Sequence, residues 1–102
     1  MMQQAEILKF EQKAEDLAKI LKAIGNAKRL SILCKLAQED EINVGTLADA
    51  VGLSSSALSQ HLARMRGEGL VATRRDSQTI WYRMADDKVT DLMKSLYGIY
   101  CA

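Results

Sequence analysis

The stretch NVGTLADAVGLSSSALSQHLARMR, residues 43–66, decides how this chain folds. Gly52 divides it into two short segments. Each opens on a residue whose side chain can accept from the free N–H groups of a helix start, Asn43 in the first and Ser54 in the second. Leu47 and Val51 fall four residues apart and point to one side, which predicts a short helix that Gly52 stops. Leu58, Leu62 and Met65 do the same at spacings of four and three, which predicts a second helix to about Arg66, broken by Gly67 and Gly69. The opposite side of the second helix carries Ser55, Ser56, Ser59, Gln60 and Arg64. Two short helices joined by a tight turn are the parts of a helix-turn-helix, and hydroxyl and amide groups on the outer side can bond to base edges. The start of that helix also offers free N–H groups to a phosphate. A serine-lined helix taken alone is as consistent with plain solvation, so its neighbours matter.

Downstream the period changes. Leu70 to Arg75 and Thr79 to Met84 are rich in strand formers, and Ile80, Tyr82 and Met84 alternate with Trp81 and Arg83. They predict a hairpin, a two-stranded wing with Asp76, Ser77 and Gln78 at its tip. Arg74 and Arg75 flank that tip, where they and Gln78 can reach a DNA backbone or minor groove. Asp86 or Asp87 then opens a last helix with Val89, Leu92, Met93, Leu96 and Tyr100 on its apolar side. Upstream, Phe10, Ala14, Leu17, Leu21 and Ile24 repeat at spacings of four and three over a helix from about Ala5 to Ile24. Gly25 ends it, Asn26 caps a second helix to about Gln38, and Leu30, Leu33, Cys34 and Ala37 share one side of that helix. Glu39, Asp40 and Glu41 form an acidic loop. The whole is mainly α with a small β-hairpin, a winged helix-turn-helix of about five helices and a two-stranded wing.

The net charge of +1 hides an asymmetry. Residues 53–85 carry five arginines, Arg64, Arg66, Arg74, Arg75 and Arg83, against Glu68 and Asp76, while the remainder carries nine basic against eleven acidic groups. The positive third thus coincides with the helix and hairpin expected to meet DNA, and all its basic residues are arginine, whose planar fork suits phosphate and guanine. With 102 residues and 48% apolar composition the chain is read as one domain over 1–102: helix-turn-helix 43–67, wing 70–84, and outer helices 1–24 and 86–102. No apolar run approaches a membrane span and no leader opens the sequence, so a cytoplasmic location is expected. One histidine, no glycine-rich phosphate loop and no acid–base pair argue against an enzyme.

These residues also resemble a known family. Asn26 to Leu33 (NAKRLSIL), Val44 to Leu47 (VGTL), Leu53 to Leu62 (LSSSALSQHL) and Gly69 to Val71 (GLV) are similar to the ArsR/SmtB family of bacterial repressors. Thr73 to Ile80 (TRRDSQTI) resembles the wing of its branch that includes HlyU, BigR, SqrR and NolR. Ala27 stands where the family often has proline, and Ser55 where close relatives often have glutamine. The resemblance implies a homodimer through the first and last helices, binding an inverted-repeat operator in double-stranded DNA. The two helical seams fit this, being more than one small core requires.

Many members of the family sense metals, but the ligands are wanting here. The helix over 43–51 has no cysteine and the last helix no histidine, and Asp86, Asp87 and Asp91 read as an acidic first turn favoured by the helix dipole. No metal and no cofactor are expected. The single histidine, His61, is read as a phosphate contact or a packing residue of the recognition helix. Two cysteines remain. From the sequence alone Cys34 is a small buried hydrophobe, and Cys101 ends a helix whose dipole does not favour a thiolate. The resemblance gives both another role, because members of this branch carry one cysteine in the second helix and one at the end of the last. It implies that Cys34 and Cys101 sense an oxidant or persulfide donor by becoming linked. Alternatives are a metal-responsive repressor with ligands contributed across the dimer, an effector-independent regulator that displaces another DNA-binding protein, and a winged helix that binds only proteins.

Overall fold

A computed structural model describes residues 3–101. Among them the chain forms α1 (Gln4–Ile24), α2 (Ala27–Gln38), β1 (Ile42–Asn43), α3 (Val44–Val51), α4 (Ser55–Gly67), β2 (Val71–Asp76), β3 (Thr79–Met84) and α5 (Asp87–Tyr100). This is the expected winged helix-turn-helix with one addition. The sheet has three strands in the order β1-β3-β2, because Ile42 pairs with Tyr82 and Asn43 with Trp81. A strand of two residues is too short to display an alternating pattern, so the two-stranded wing expected from sequence lacked it.

The caps explain where the helices begin. Asn26 Oδ1 accepts from the N–H groups of Lys28 and Arg29, Asn43 Oδ1 from Thr46, Ser54 Oγ from Ala57, and Asp86 Oδ1 from Lys88. Gly52 closes α3 in the left-handed region at φ 70°, which a side chain would resist, and so aims the chain sharply into α4. At the wing tip only Ser77 and Gln78 lie between the strands, with Asp76 still paired to Thr79. Ser77 takes φ 55° there, a conformation that a two-residue hairpin turn demands at its first position.

The core lies where α2, α3, α4, α5 and the inner sheet face converge. Ile32, Leu33, Leu36, Leu47, Leu58, Leu62 and Met65 are fully enclosed, and Val89 and Met93 of α5 close the far side. Among the described residues no polar side chain is buried. On α2 the buried residues are Ile32, Leu33, Leu36 and Ala37, which corrects the expected side of Leu30, Leu33, Cys34 and Ala37. This helix packs against α1, α3, α5 and β3, so its buried arc is wider than one stripe, and Leu30 and Cys34 fall on the rim facing α5. The seam of α1 is also only partly used. Ile20, Ala23 and Ile24 meet the core, whereas Leu8, Phe10 and Leu21 are about half exposed. Tyr100, expected on the apolar side of α5, is 80% exposed, and Ile99 beside it is 72% exposed. No helix among the described residues is long and apolar enough to cross a membrane.

Candidate nucleic-acid interface and thiol pair

The alternation of residue types along α4 fixes its orientation. Leu58, Leu62 and Met65 have no exposed surface, so Ser55, Ser56, Ser59, Gln60 and Arg64 are turned outward, and all five are exposed. Their side chains are short and, apart from Arg64, uncharged, so a polynucleotide can approach closely without repulsion. His61 sits half-buried at the edge of the packed side. The N–H groups of the first turn beyond those the Ser54 cap engages are available to an anion.

The wing places its two adjacent arginines differently. Arg75 is opposite Ile80, on the sheet face of Thr73 and Tyr82, and Arg74 is opposite Trp81 on the other face. Arg75 and, at the tip, Gln78 are exposed. Arg74 is engaged: its Nε donates to Glu41 Oε2 at 2.6 Å, and its guanidinium carbon lies 5.9 Å from the centre of the Trp81 ring. That hydrogen bond, with the charges of Arg74 and Arg83, holds the Glu41 carboxyl below its usual range; the same bond, with the charges of Glu41 and Asp76, raises Arg74. Local spacing alone groups Arg74 with Arg75 and places Glu41 only in an acidic loop. The two residues are 33 positions apart, and a long-range pair leaves no mark in local spacing. Arg29 was likewise missed: its Nη1 donates to the Ala23 carbonyl at 2.9 Å and lies 3.6 Å from Glu68, tying the end of α1 to the end of α4.

The two cysteines meet a common space. A groove of about 250 Å³ between α2 and α5 is lined by Leu30, Cys34, Met93, Leu96, Tyr97, Tyr100 and Cys101. Cys34 is half-buried rather than core, and Gln38 Nε2 donates weakly to its sulfur at 3.8 Å. Burial pushes its thiol above the usual range, and the neighbouring Cys101 pushes it further. Cys101 is exposed, and both thiols are free. Among the described residues no three His, Cys, Asp or Glu side chains gather closely enough to hold a metal ion.

Known proteins are similar to this chain in sequence and in fold. The family description "Bacterial regulatory protein, arsR family" matches residues 26–73, from the cap of α2 into β2. The HTH-type transcriptional regulator YgaV of Escherichia coli K12 is 43% identical over 94% of this chain and 97% of its own length. The transcriptional activator HlyU of Vibrio cholerae is 41% identical over 90% of this chain and 84% of its own. The structure of reduced HlyU superimposes with a TM-score of 0.84 at 40% identity, covering 92% of this chain and 98% of that one. The transcriptional repressor BigR of Xylella fastidiosa superimposes with a TM-score of 0.85 at 35% identity over 99% of both chains.

Proposed function

This chain belongs to the arsR family of bacterial regulatory proteins, on its HlyU/BigR-like branch, and from that premise we propose that it is a homodimeric repressor released from DNA when Cys34 and Cys101 become linked. It is a DNA-binding transcriptional regulator and not an enzyme, as its relatives are. Ser55, Ser56, Ser59 and Gln60 read base edges in a major groove, and Arg64 and His61 meet flanking phosphates. Arg75 and Gln78 of the wing contact the adjacent backbone or minor groove.

Dimer formation is supported by the apolar surface that one copy leaves uncovered: Leu8, Phe10 and Leu21 on α1, and Tyr97, Ile99 and Tyr100 on α5. A two-fold pairing through α1 and α5 sets two recognition helices about 34 Å apart, one turn of duplex, on an inverted repeat.

The observation that carries the switch is the shared groove, in which both cysteines line one apolar space between α2 and α5. The exposed Cys101 reacts first. Its thiolate attacks the terminal sulfur of a low-molecular-weight persulfide, expelling a thiol and becoming a protein persulfide. The Cys34 thiolate then attacks Cys101 Sγ itself, breaking its bond to the outer sulfur, which leaves as hydrosulfide. Two thiols and one persulfide thus give a disulfide, a thiol and hydrogen sulfide. With a peroxide, Cys101 becomes a sulfenic acid and Cys34 displaces water. A direct disulfide needs the two Cα atoms about 4.4–6.8 Å apart, whereas a bridge of more sulfurs spans a greater distance. Either link pins the end of α5 to α2 and biases the spacing of the paired reading helices. That HlyU has been solved in a form described as reduced fits a protein with a redox-sensitive state.

Operator titration before and after persulfide treatment, with intact-mass measurement, tests this. Linked protein is expected to bind about 5–150-fold more weakly, the usual range of allosteric coupling. Cys34→Ser and Cys101→Ser dimers are expected to stay bound after the same treatment, and release of either one sinks the linkage. Because Cys34 is held protonated by burial, the closing step is expected to quicken as pH rises through its raised pKa. Stopped-flow quenching at several pH values reads this, and a rate indifferent to pH would place another nucleophile at that step.

The activator name of the Vibrio cholerae relative favours a second reading, in which the bound dimer raises transcription by displacing another DNA-binding protein. A reporter assay with and without the regulator separates the two by sign.

A further inference from the structure

Glu41, Arg74 and Trp81 form a cross-sheet contact that DNA reading leaves without a role. Trp81, on the central strand, pairs with Asn43 on one side and with Arg74 on the other. Arg74 lies over the Trp81 ring, and its Nε meets Glu41 Oε2 at 2.6 Å, two residues before Asn43. Asn43 is also the cap of α3, the first helix of the helix-turn-helix. The hairpin is joined to β1 through only two residue pairs, Ile42 with Tyr82 and Asn43 with Trp81. A contact that runs from the residue just before β1 across β3 to β2 therefore links the wing directly to the start of the reading unit.

We propose that the Glu41–Arg74 pair, laid across Trp81, is a brace that fixes the angle of the wing against the helix-turn-helix, so that Glu41 and Arg74 are positioning residues for the DNA interface. This rests on the DNA-binding reading given above. Three features favour a brace over a phosphate contact. The Nε donor of Arg74 is already used, and its guanidinium packs on an aromatic ring. The next residue, Arg75, is exposed like Arg74 but lies on the opposite sheet face and has no side-chain partner among the described residues, so it is free to take the phosphate role. Glu41 is ionised at neutral pH, since the hydrogen bond from Arg74 lowers its pKa, so the pair persists under working conditions.

The two roles differ in sign at Glu41. A carboxylate near a phosphate surface opposes binding, so deleting a mere decoy tightens the complex, whereas deleting a brace loosens it. The test uses the full-length dimer, a duplex that the wild type enriches from a random pool, and a random-sequence duplex as control. Glu41→Ala and Arg74→Ala are each expected to weaken binding to the enriched duplex about three- to tenfold, with the double variant no weaker than either single one. The charge-swapped protein, Glu41→Arg with Arg74→Glu, is expected to regain most of that loss, because the brace is restored at unchanged net charge. Hydrogen exchange at amides 72–83 should quicken in both single variants while the urea midpoint holds. The proposal is overturned if Glu41→Ala tightens binding and steepens the salt slope by about two, one added phosphate per subunit. It is equally overturned if the swap restores nothing. A wild type that enriches no duplex sinks the DNA reading instead. The exchange measurement still decides the brace in that case, and unaltered exchange at 72–83 rejects it.

Discussion

A Gln60→Ala dimer is expected to bind its operator at least about 30-fold more weakly than the wild type, while its affinity for random-sequence duplex stays unchanged. Gln60 is exposed on the outer side of α4, one turn beyond Ser56 and next to Ser59. A glutamine amide can donate to and accept from an adenine edge at once, and such a pair discriminates by about 1–3 kcal/mol. A dimer makes the contact once in each half-site, and well-separated contacts add. Because Gln60 is uncharged, its removal should not alter the slope of affinity against salt. Arg64→Gln supplies the contrast, weakening both duplexes and flattening that slope. Anisotropy titrations at several salt concentrations read all of this. Equal losses on both duplexes for Gln60→Ala would mean that the residue carries no sequence information.

The second large effect lies two residues further along the same helix. Leu62→Ala is expected to lower stability by about 2–5 kcal/mol, measured by urea unfolding. Leu62 is fully enclosed beside Leu58 and Met65, and truncation removes its burial and leaves a cavity that packed neighbours fill only in part. That is a large share of the roughly 5–15 kcal/mol holding a domain of this kind together. The pair of variants is expected to separate the two faces of α4, with Gln60→Ala changing DNA affinity but not stability and Leu62→Ala lowering stability. A loss below about 0.5 kcal/mol at Leu62 would place it outside the core and remove the anchor that turns Gln60 outward.

Much of this was legible in the sequence because it is written in local chemistry. Asn26, Asn43 and Ser54 are capping residue types ahead of periodic apolar runs, and each accepts the backbone hydrogen bonds expected of it. Gly52 and the leucines of α4 fix the reading helix without reference to the rest of the fold. What escaped depends on contacts between distant residues. Strand β1 exists only because β3 lies beside it, and Glu41 gains a partner only because the sheet brings Arg74 across. The buried arc of α2 is wider than its apolar spacing predicts for a related reason, since Ile32 and Leu36 are core only once four other elements surround that helix. The cysteines were found by resemblance to known regulators. Their common groove depends on how α5 returns over α2, which no spacing between Cys34 and Cys101 encodes.

The central proposal is that α4 enters a major groove with its serine-lined side. Dimethyl sulfate methylates guanine at N7, an atom that lies only in that groove, so its protection reports the occupant directly. On the duplex enriched by the wild-type dimer, N7 protection is predicted in two patches about one helical turn apart, and Gln60→Ala should fade both. Full occupancy of the duplex with every guanine N7 still reactive would contradict it.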